Sequence, residues 1–198
     1  MTQPLAQVHD HLRTHFAGLG IETEPESASV TFVGVERIQV LRFGPEAGVY
    51  HYVSLGCSRH PMTDASAATA DPVRGPRAEV VMRLRAGVPT VGLARSLAVV
   101  AATPAVDGVV LAPDLLVDLS APLWQGAPFT AVLLGESGLA DLPLESPRDP
   151  VRFLAAVPIT QTEAAWVRLK GADAMRQAWQ DDGVDVSDPG RRAASAGA

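Results

Sequence analysis

A single cysteine, a single lysine and no long apolar run are the first constraints in this sequence. Cys57 has no second thiol to pair with, so no intrachain disulfide staples the fold. The N-terminus shows no basic segment followed by an apolar stretch, the mark of secretion, and the expected location is the cytoplasm. Charges, prolines or glycines interrupt every apolar candidate well short of the roughly 18 residues a membrane helix needs, so no membrane partner is expected. Fifteen arginines stand against the one lysine, Lys170, and alanine is abundant, a bias expected of a GC-rich bacterial coding sequence. The net charge of −6 argues against nucleic acid, since phosphate binding is driven by clustered basic side chains that release counterions. Also missing are Gly-x-Ser-x-Gly, a phosphate-binding loop, Gly-x-Gly-x-x-Gly and the Cys and His spacing of a zinc site. No metal or other cofactor is expected.

What is present suffices for one ordinary domain. With 47% apolar and 19% charged residues over 198 positions, the chain can bury a proper core but not two comfortable ones. Val49 to Leu55 alternates strictly, Val49, His51, Val53 and Leu55 against Tyr50, Tyr52 and Ser54, the period of a half-buried strand. Gly56 then releases the strand, and Cys57, Ser58, Arg59 and His60 crowd polar and reactive groups into a turn before Pro61.

The remaining chain reads as helices and strands in alternation with loops. Leu5, Val8, Leu12, Phe16 and Leu19 form one stripe of a helix over Pro4 to Leu19. His11 and His15 lie one turn apart on its flank, a spacing two metal ligands could use, but no third ligand is near and a solvated flank is the plainer reading. Strands are expected at Ser29–Val33, Arg37–Phe43, Val49–Leu55, Ala78–Arg85, Leu115–Leu119, Phe129–Leu134 and Val151–Val157, the first three forming an antiparallel meander. Phe129 to Leu134 is apolar on both sides, which places it inside a sheet covered on both faces. Thr90 is the expected cap of a helix ending at Thr103-Pro104, and Thr63 to Pro76 reads as a long loop. Trp124, in the Pro122 to Pro128 loop, either plugs the edge of the core or anchors a partner; plugging is preferred. Thr160-Gln161-Thr162-Glu163 is a capping box, which makes Glu163 structural, and Gly171 divides two closing helices. The domain is expected to span residues 1–183. The small, polar tail, residues 184–198, is expected to be disordered or ordered only by packing against a neighbour. The fold class is therefore α+β: a central mixed, mainly antiparallel sheet of six to eight strands with helices packed on it, in a single domain.

Three stretches carry a resemblance: Tyr-His-Tyr-Val-Ser-Leu-Gly-Cys-Ser-Arg-His-Pro-Met at 50–62, Ala-Glu-Val-Val-Met-Arg-Leu-Arg at 78–85 and Val-Pro-Ile-Thr-Gln-Thr-Glu at 157–163. In this order, with Pro113-Asp114 and Phe129 to Leu134 between them, they resemble the suppressor of fused domain family from Leu5 to Gln180. The resemblance implies a protein-binding function. In animals the family's founding protein restrains Hedgehog signalling by holding zinc-finger transcription factors, gripping a short peptide as an added strand between two lobes. This chain resembles the N-terminal lobe alone, so the two-lobe clamp does not carry over. Bacterial members are similar to immunity proteins of polymorphic toxin systems, which bind and block a cognate toxin.

The expected function is a non-enzymatic, immunity-like or regulatory domain that sequesters a protein partner, a toxin or a regulatory protein, with the oligomeric state open. Candidate partner-binding residues are Tyr50, Tyr52, Ser58, Arg59, His60, Glu79, Arg83 and Arg85, because strand ends and the polar sides of strands can be reached by another chain. The competing reading makes the same groups an internal polar network that orders the fold. From another class comes a cysteine-dependent hydrolase using Cys57 and His60, since positive neighbours lower a thiol's pKa and prepare it as a nucleophile. His51, on the apolar side of its strand, reads as a core histidine with a local hydrogen-bond partner rather than a base or ligand.

Overall fold

A computed structural model describes residues 3–32, 34–67 and 69–195. Among these residues seven strands form one sheet: β1 (Glu26–Phe32), β2 (Val35–Glu46), β3 (Val49–Leu55), β4 (Arg77–Arg85), β5 (Leu116–Asp118), β6 (Phe129–Glu136) and β7 (Val151–Thr160). Their spatial order is β1-β2-β3-β4-β7-β6-β5. Every neighbouring pair is antiparallel except β4 and β7, which run parallel with Arg77 opposite Val151 and Val81 opposite Ala155. The expected mixed, mainly antiparallel sheet is therefore what forms. Val33, the last residue of the first expected strand, lies outside the described residues.

Alternation along the strands decides which helix covers which face. Ala78, Val80, Met82 and Leu84 of β4 join Ile38, Val40 and Tyr52 under α2 (Leu93–Asp107). The opposite face carries Leu41, Phe43, Val53, Leu55, Val81, Val151 and Phe153, on which α1 (Gln3–Gly18) lays Leu5, Val8, Leu12 and Phe16. Phe16 stacks on Phe43 with ring centres 4.2 Å apart. Four anchors worth about 2 kcal/mol each hold α1 to the sheet. Farther along the same face of β7, Val157 and Ile159 pack with Ala131 and Leu133 against α3 (Gln161–Lys170) and α4 (Ala172–Asp181). The result is three layers, with α2 alone on one side and α1 beside the α3–α4 pair on the other.

Two helix boundaries depart from expectation. Thr90 does not cap α2; Gly92 does, in a left-handed conformation and without a side-chain bond, while the Thr90 hydroxyl meets Tyr52 Oη at 3.1 Å. Nor does Thr103-Pro104 end the helix, which runs through Pro104 to Asp107. Proline removes the amide that would serve the carbonyl four residues back. The Thr103 hydroxyl donates to that carbonyl, Val100 O, at 2.5 Å and fills the gap.

The expected disordered tail is corrected over residues 184–195, while 196–198 lie outside the described residues. Arg191 and Ala194 are buried against the domain they were expected to leave. Arg191 forks onto Glu163, with Nη1 to Oε1 at 2.7 Å and Nη2 to Oε2 at 3.0 Å, and also donates to Pro158 O at 2.8 Å. Glu163 holds the capping box with Thr160 and takes further bonds from Trp179 Nε1 at 2.9 Å and Ala194 N at 3.1 Å. Burial raises this carboxyl, but the hydrogen bonds from Arg191, Thr160 and Trp179 outweigh it, so its pKa lies below the usual glutamate value. Trp124 is buried and packs beside Phe129, as a plug of the core edge should.

Candidate functional site

The turn after β3 is built by two side chains of β4. Residues two apart on a strand point to one face, so Arg77 and Glu79 both reach the short helical turn Cys57–Arg59. Glu79, fully buried, accepts from the Gly56 amide at 2.8 Å, the Ser58 amide at 3.0 Å, the Ser58 hydroxyl at 2.6 Å and the Ser54 hydroxyl. Arg77 binds the other pole of the turn, donating to the Ser58 carbonyl at 2.8 Å and the Arg59 carbonyl at 2.9 Å. Carboxylate on the amides and guanidinium on the carbonyls leave the turn one conformation. Gly56, at φ +148°, sits where a Cβ would come within 3.2 Å of the Arg37 carbonyl oxygen and Ile38 Cα.

Arg59 lies half-buried, paired with Glu36 and donating to Arg37 O at 3.1 Å. His60 is exposed, 3.2 Å from the same carboxylate, and its pKa is lowered by desolvation and by Arg59 and Arg77. Cys57 lines a small cleft of about 310 Å³ that His60 also borders. Its thiol is not prepared for nucleophilic attack: burial pushes its pKa well up, and the carboxylate of Glu79 pushes the same way. The positive neighbours in sequence do not decide the thiol, because burial outweighs every charge on it and the charge that does act is the carboxylate of Glu79.

A larger cleft opens on the α1 side of the sheet. Val81, Arg83 and Arg85 of β4, Ala155 and Val157 of β7 and the chain from Gly183 to Ser187 border a space of about 640 Å³. α1 covers the β2–β3 half of this face and α3–α4 the β6–β7 end, leaving the far end of the parallel seam between them uncovered. Arg85 is engaged, with Nε 2.5 Å from Asp185 Oδ2 and its own amide donating to Ser187 O at 2.8 Å. Asp185 is set by a local turn in which Ser187 bonds it through both amide and hydroxyl. Arg83 is exposed and, among the described residues, makes no ion pair or side-chain hydrogen bond.

His51 sits opposite Arg83 in the strand register, packed 5.0 Å from the Phe16 ring. It is a core histidine as expected, but the expected partner is missing: Nε2 is buried with no hydrogen bond among the described residues. Burial lowers its pKa, Arg83 and His15 lower it further, and Glu46 opposes them. His15 is lowered as well, by burial and by His11. Unfolded histidines take up protons near pH 6.5, so these rings contribute stability that is complete above about pH 6.5 and lost as pH falls toward their lowered folded values. Urea midpoints measured from pH 7.5 down to 5.5 are expected to decline, and His51→Leu is expected to flatten that decline; an unchanged slope would remove His51 from the account. His11 is not on a solvated flank, for its Nε2 lies 2.9 Å from Ala140 O and its ring stacks on Phe153. Among the described residues no group of three or more His, Cys, Asp or Glu side chains could hold a metal ion, and no helix is long and apolar enough to cross a membrane.

A family model described as "Suppressor of fused protein (SUFU)" matches residues 34–192, most of the chain. The chain belongs to the suppressor of fused family. Its fold is similar to a crystal structure of a SUFU homolog from Neisseria gonorrhoeae, with 18% identity, a TM-score of 0.68 and coverage of 98% of this chain and 97% of that one. It is also similar to a chain of the Sufu-Fu complex, at 15% identity and TM-score 0.64 over 95% of this chain and 90% of that one. Drosophila Suppressor of Fused matches at 14% identity and TM-score 0.63, over 93% of this chain and 49% of that one, so this chain spans about half its length. No curated protein matches the chain.

This suppressor of fused domain divides the eight candidate binding residues by location. Ser58 and Glu79 are fully buried and Tyr52 nearly so, which makes them framework and corrects the expectation that a partner reaches them. Tyr50 is half-buried on the α2 side, with the Arg42 guanidinium stacked 4.7 Å from its ring centre. Arg59 and His60 flank the clamped turn, and only Arg83 and Arg85 share the 640 Å³ cleft. Sequence reasoning missed Val157, Ala155 and Asp185 as its walls. Asp185-Val-Ser187 has the signature of a side-chain-capped turn, but nothing local says that it crosses β4. The family match ends at residue 192, beyond the expected boundary at 183.

Proposed function

We propose that this domain is a non-enzymatic binding protein, immunity-like or regulatory, that sequesters a protein partner in the bacterial cytoplasm, and that the cleft over the β4–β7 seam receives an acidic segment of it. The observation that carries the reading is the pair Arg83 and Arg85: one guanidinium holds Asp185 and the other stands in the same cleft with no ion pair among the described residues. Asp185 illustrates the chemistry, a carboxylate on arginine in a cleft whose floor is Val81, Ala155 and Val157. Family membership supports a binding role, since a relative has been solved as the Sufu-Fu complex. Both toxin and regulatory protein remain within this reading.

The test is a pull-down from lysate of the source bacterium with the intact domain beside Arg83→Glu and Arg83→Glu, Arg85→Glu variants, read by quantitative mass spectrometry. One stoichiometric partner is expected on the wild type and reduced at least ~10-fold by Arg83→Glu, the scale of losing a charge-assisted contact. Cys57→Ser is expected to retain the partner. A partner held equally by all the arginine variants would move the interface off this cleft, and thiol-dependent turnover abolished by Cys57→Ser would favour the hydrolase.

A further inference from the structure

The α2 side of the sheet carries a second feature, independent of the cleft. Among the described residues seven large apolar side chains are exposed, and three of them, Val91, Val99 and Val106, border one groove. The groove, about 890 Å³, runs along α2 beside the loop that holds Leu119, Leu123 and Trp124. Val99 and Val106 are seven residues apart, two turns along one stripe of the helix, with Ala102 between them.

The charges that flank this stripe are arranged against their own helix. A helix favours acidic groups in its first turn and basic groups in its last. α2 has the reverse, with Arg95 in the first turn and Asp107 at the end, no acid in the first and no base in the last. Both are exposed, both border the groove, and neither makes an ion pair among the described residues. They stand about 18 Å apart, twelve residues at 1.5 Å each.

We propose that this stripe is the two-fold face of a dimer of this chain, in which two α2 helices pack antiparallel and Arg95 of each copy pairs with Asp107 of the other. The occupant is a second copy because the pattern is complementary to itself. Arg95 and Asp107 lie about 120° apart around the helix, so the two helices cross obliquely, near the class at about −50° that is common in globular proteins. Turned end over end about position 101, they then bring Arg95 onto the partner's Asp107, Val99 beside the partner's Thr103 and Val106 beside the partner's Ser96. One isologous contact thus satisfies both charges twice, covers the exposed valines and sets the two helix dipoles head to tail. A single charged partner helix would complete one copy only. The dimer would join the molecules back to back, since α2 covers the face opposite the Arg83 cleft, and both clefts would remain open.

Sedimentation equilibrium from low micromolar to near-millimolar protein tests this, with thermal melts confirming that each surface variant folds. Wild type is expected to dimerise, more weakly as salt rises. Arg95→Asp and Asp107→Arg are each expected to weaken the dimer at least ~10-fold, the scale of juxtaposing like charges in an interface. Arg95→Asp with Asp107→Arg should restore it, which no framework role for either residue would produce. Val99→Asp should weaken the dimer without touching the charge pair. A wild type that stays monomeric throughout, a dimer indifferent to both single reversals, or a double reversal that fails to recover would each overturn the proposal.

Discussion

Arg191→Ala is expected to unfold about 10 °C below the parent protein. Glu163 and Arg191 are both buried and bonded in a fork. Removing the cation leaves a carboxylate in the interior with only Thr160, Trp179 and Ala194 to solvate it. Breaking one side of a buried pair costs about 3–5 kcal/mol, and each kcal/mol moves the melting point of a chain this size by about 2–4 °C. Arg191 also lies over the rings of Phe129 and Trp179, at 4.9 and 5.6 Å, so truncation loses packing besides charge. Replacing both partners, Glu163→Gln with Arg191→Met, should recover part of the loss, because no charge is then stranded. Because the folded carboxyl titrates below the usual glutamate value, its contribution is complete above about pH 4.3 and fades as pH falls through the lowered value. Glu163→Gln should remove that part of the acid sensitivity. Thermal melts by circular dichroism read all of this, and a shift under 2 °C for Arg191→Ala would mean that residues 184–195 do not dock as described.

Glu79→Ala is expected to cost about 4 kcal/mol and to loosen the turn it clamps. Its carboxylate serves the amides of Gly56 and Ser58 and the hydroxyls of Ser54 and Ser58, and both serines are fully buried. Each buried donor left unserved costs about 1–3 kcal/mol, and water entering the cavity would offset some of them. Glu79→Gln keeps one acceptor oxygen but turns an amide group toward donors, so a loss of about half that size is expected. Urea unfolding measures the cost. Hydrogen exchange at residues 56–60 separates turn loosening from global destabilisation, since only the former raises exchange there ahead of the rest of the chain. Equal stability of Glu79→Ala and the parent would show the turn to be held by Arg77 and the backbone instead.

These two carboxylates show where sequence reading stops. The capping box around Glu163 is written in four consecutive residues and forms as expected. The partner that makes Glu163 costly to disturb lies twenty-eight residues away, in a stretch whose small polar composition resembles a loose tail. Glu79 and Arg83 sit on the same side of one alternating strand, yet one is sealed beneath a turn and the other faces a cleft. Alternation assigns a side of the sheet and not what covers it. Pro104 teaches the same lesson about helix ends: the proline signals a stop, and a hydroxyl one residue earlier permits the helix to continue.

What the sequence determined by itself is local and periodic: seven strands and four helices, the side of each that seeks the core, and the motifs by which the family is recognised. Period-two and period-3.6 patterns survive in any arrangement of the elements, because they record burial along one element at a time. The parallel meeting of β4 and β7, the stretch of their seam that α1 and α3–α4 leave uncovered, and the burial and carboxylate that act on Cys57 came only with the tertiary structure. Each of these depends on contacts between residues far apart in the chain, whose energies reside in the pairing and are carried by neither partner alone.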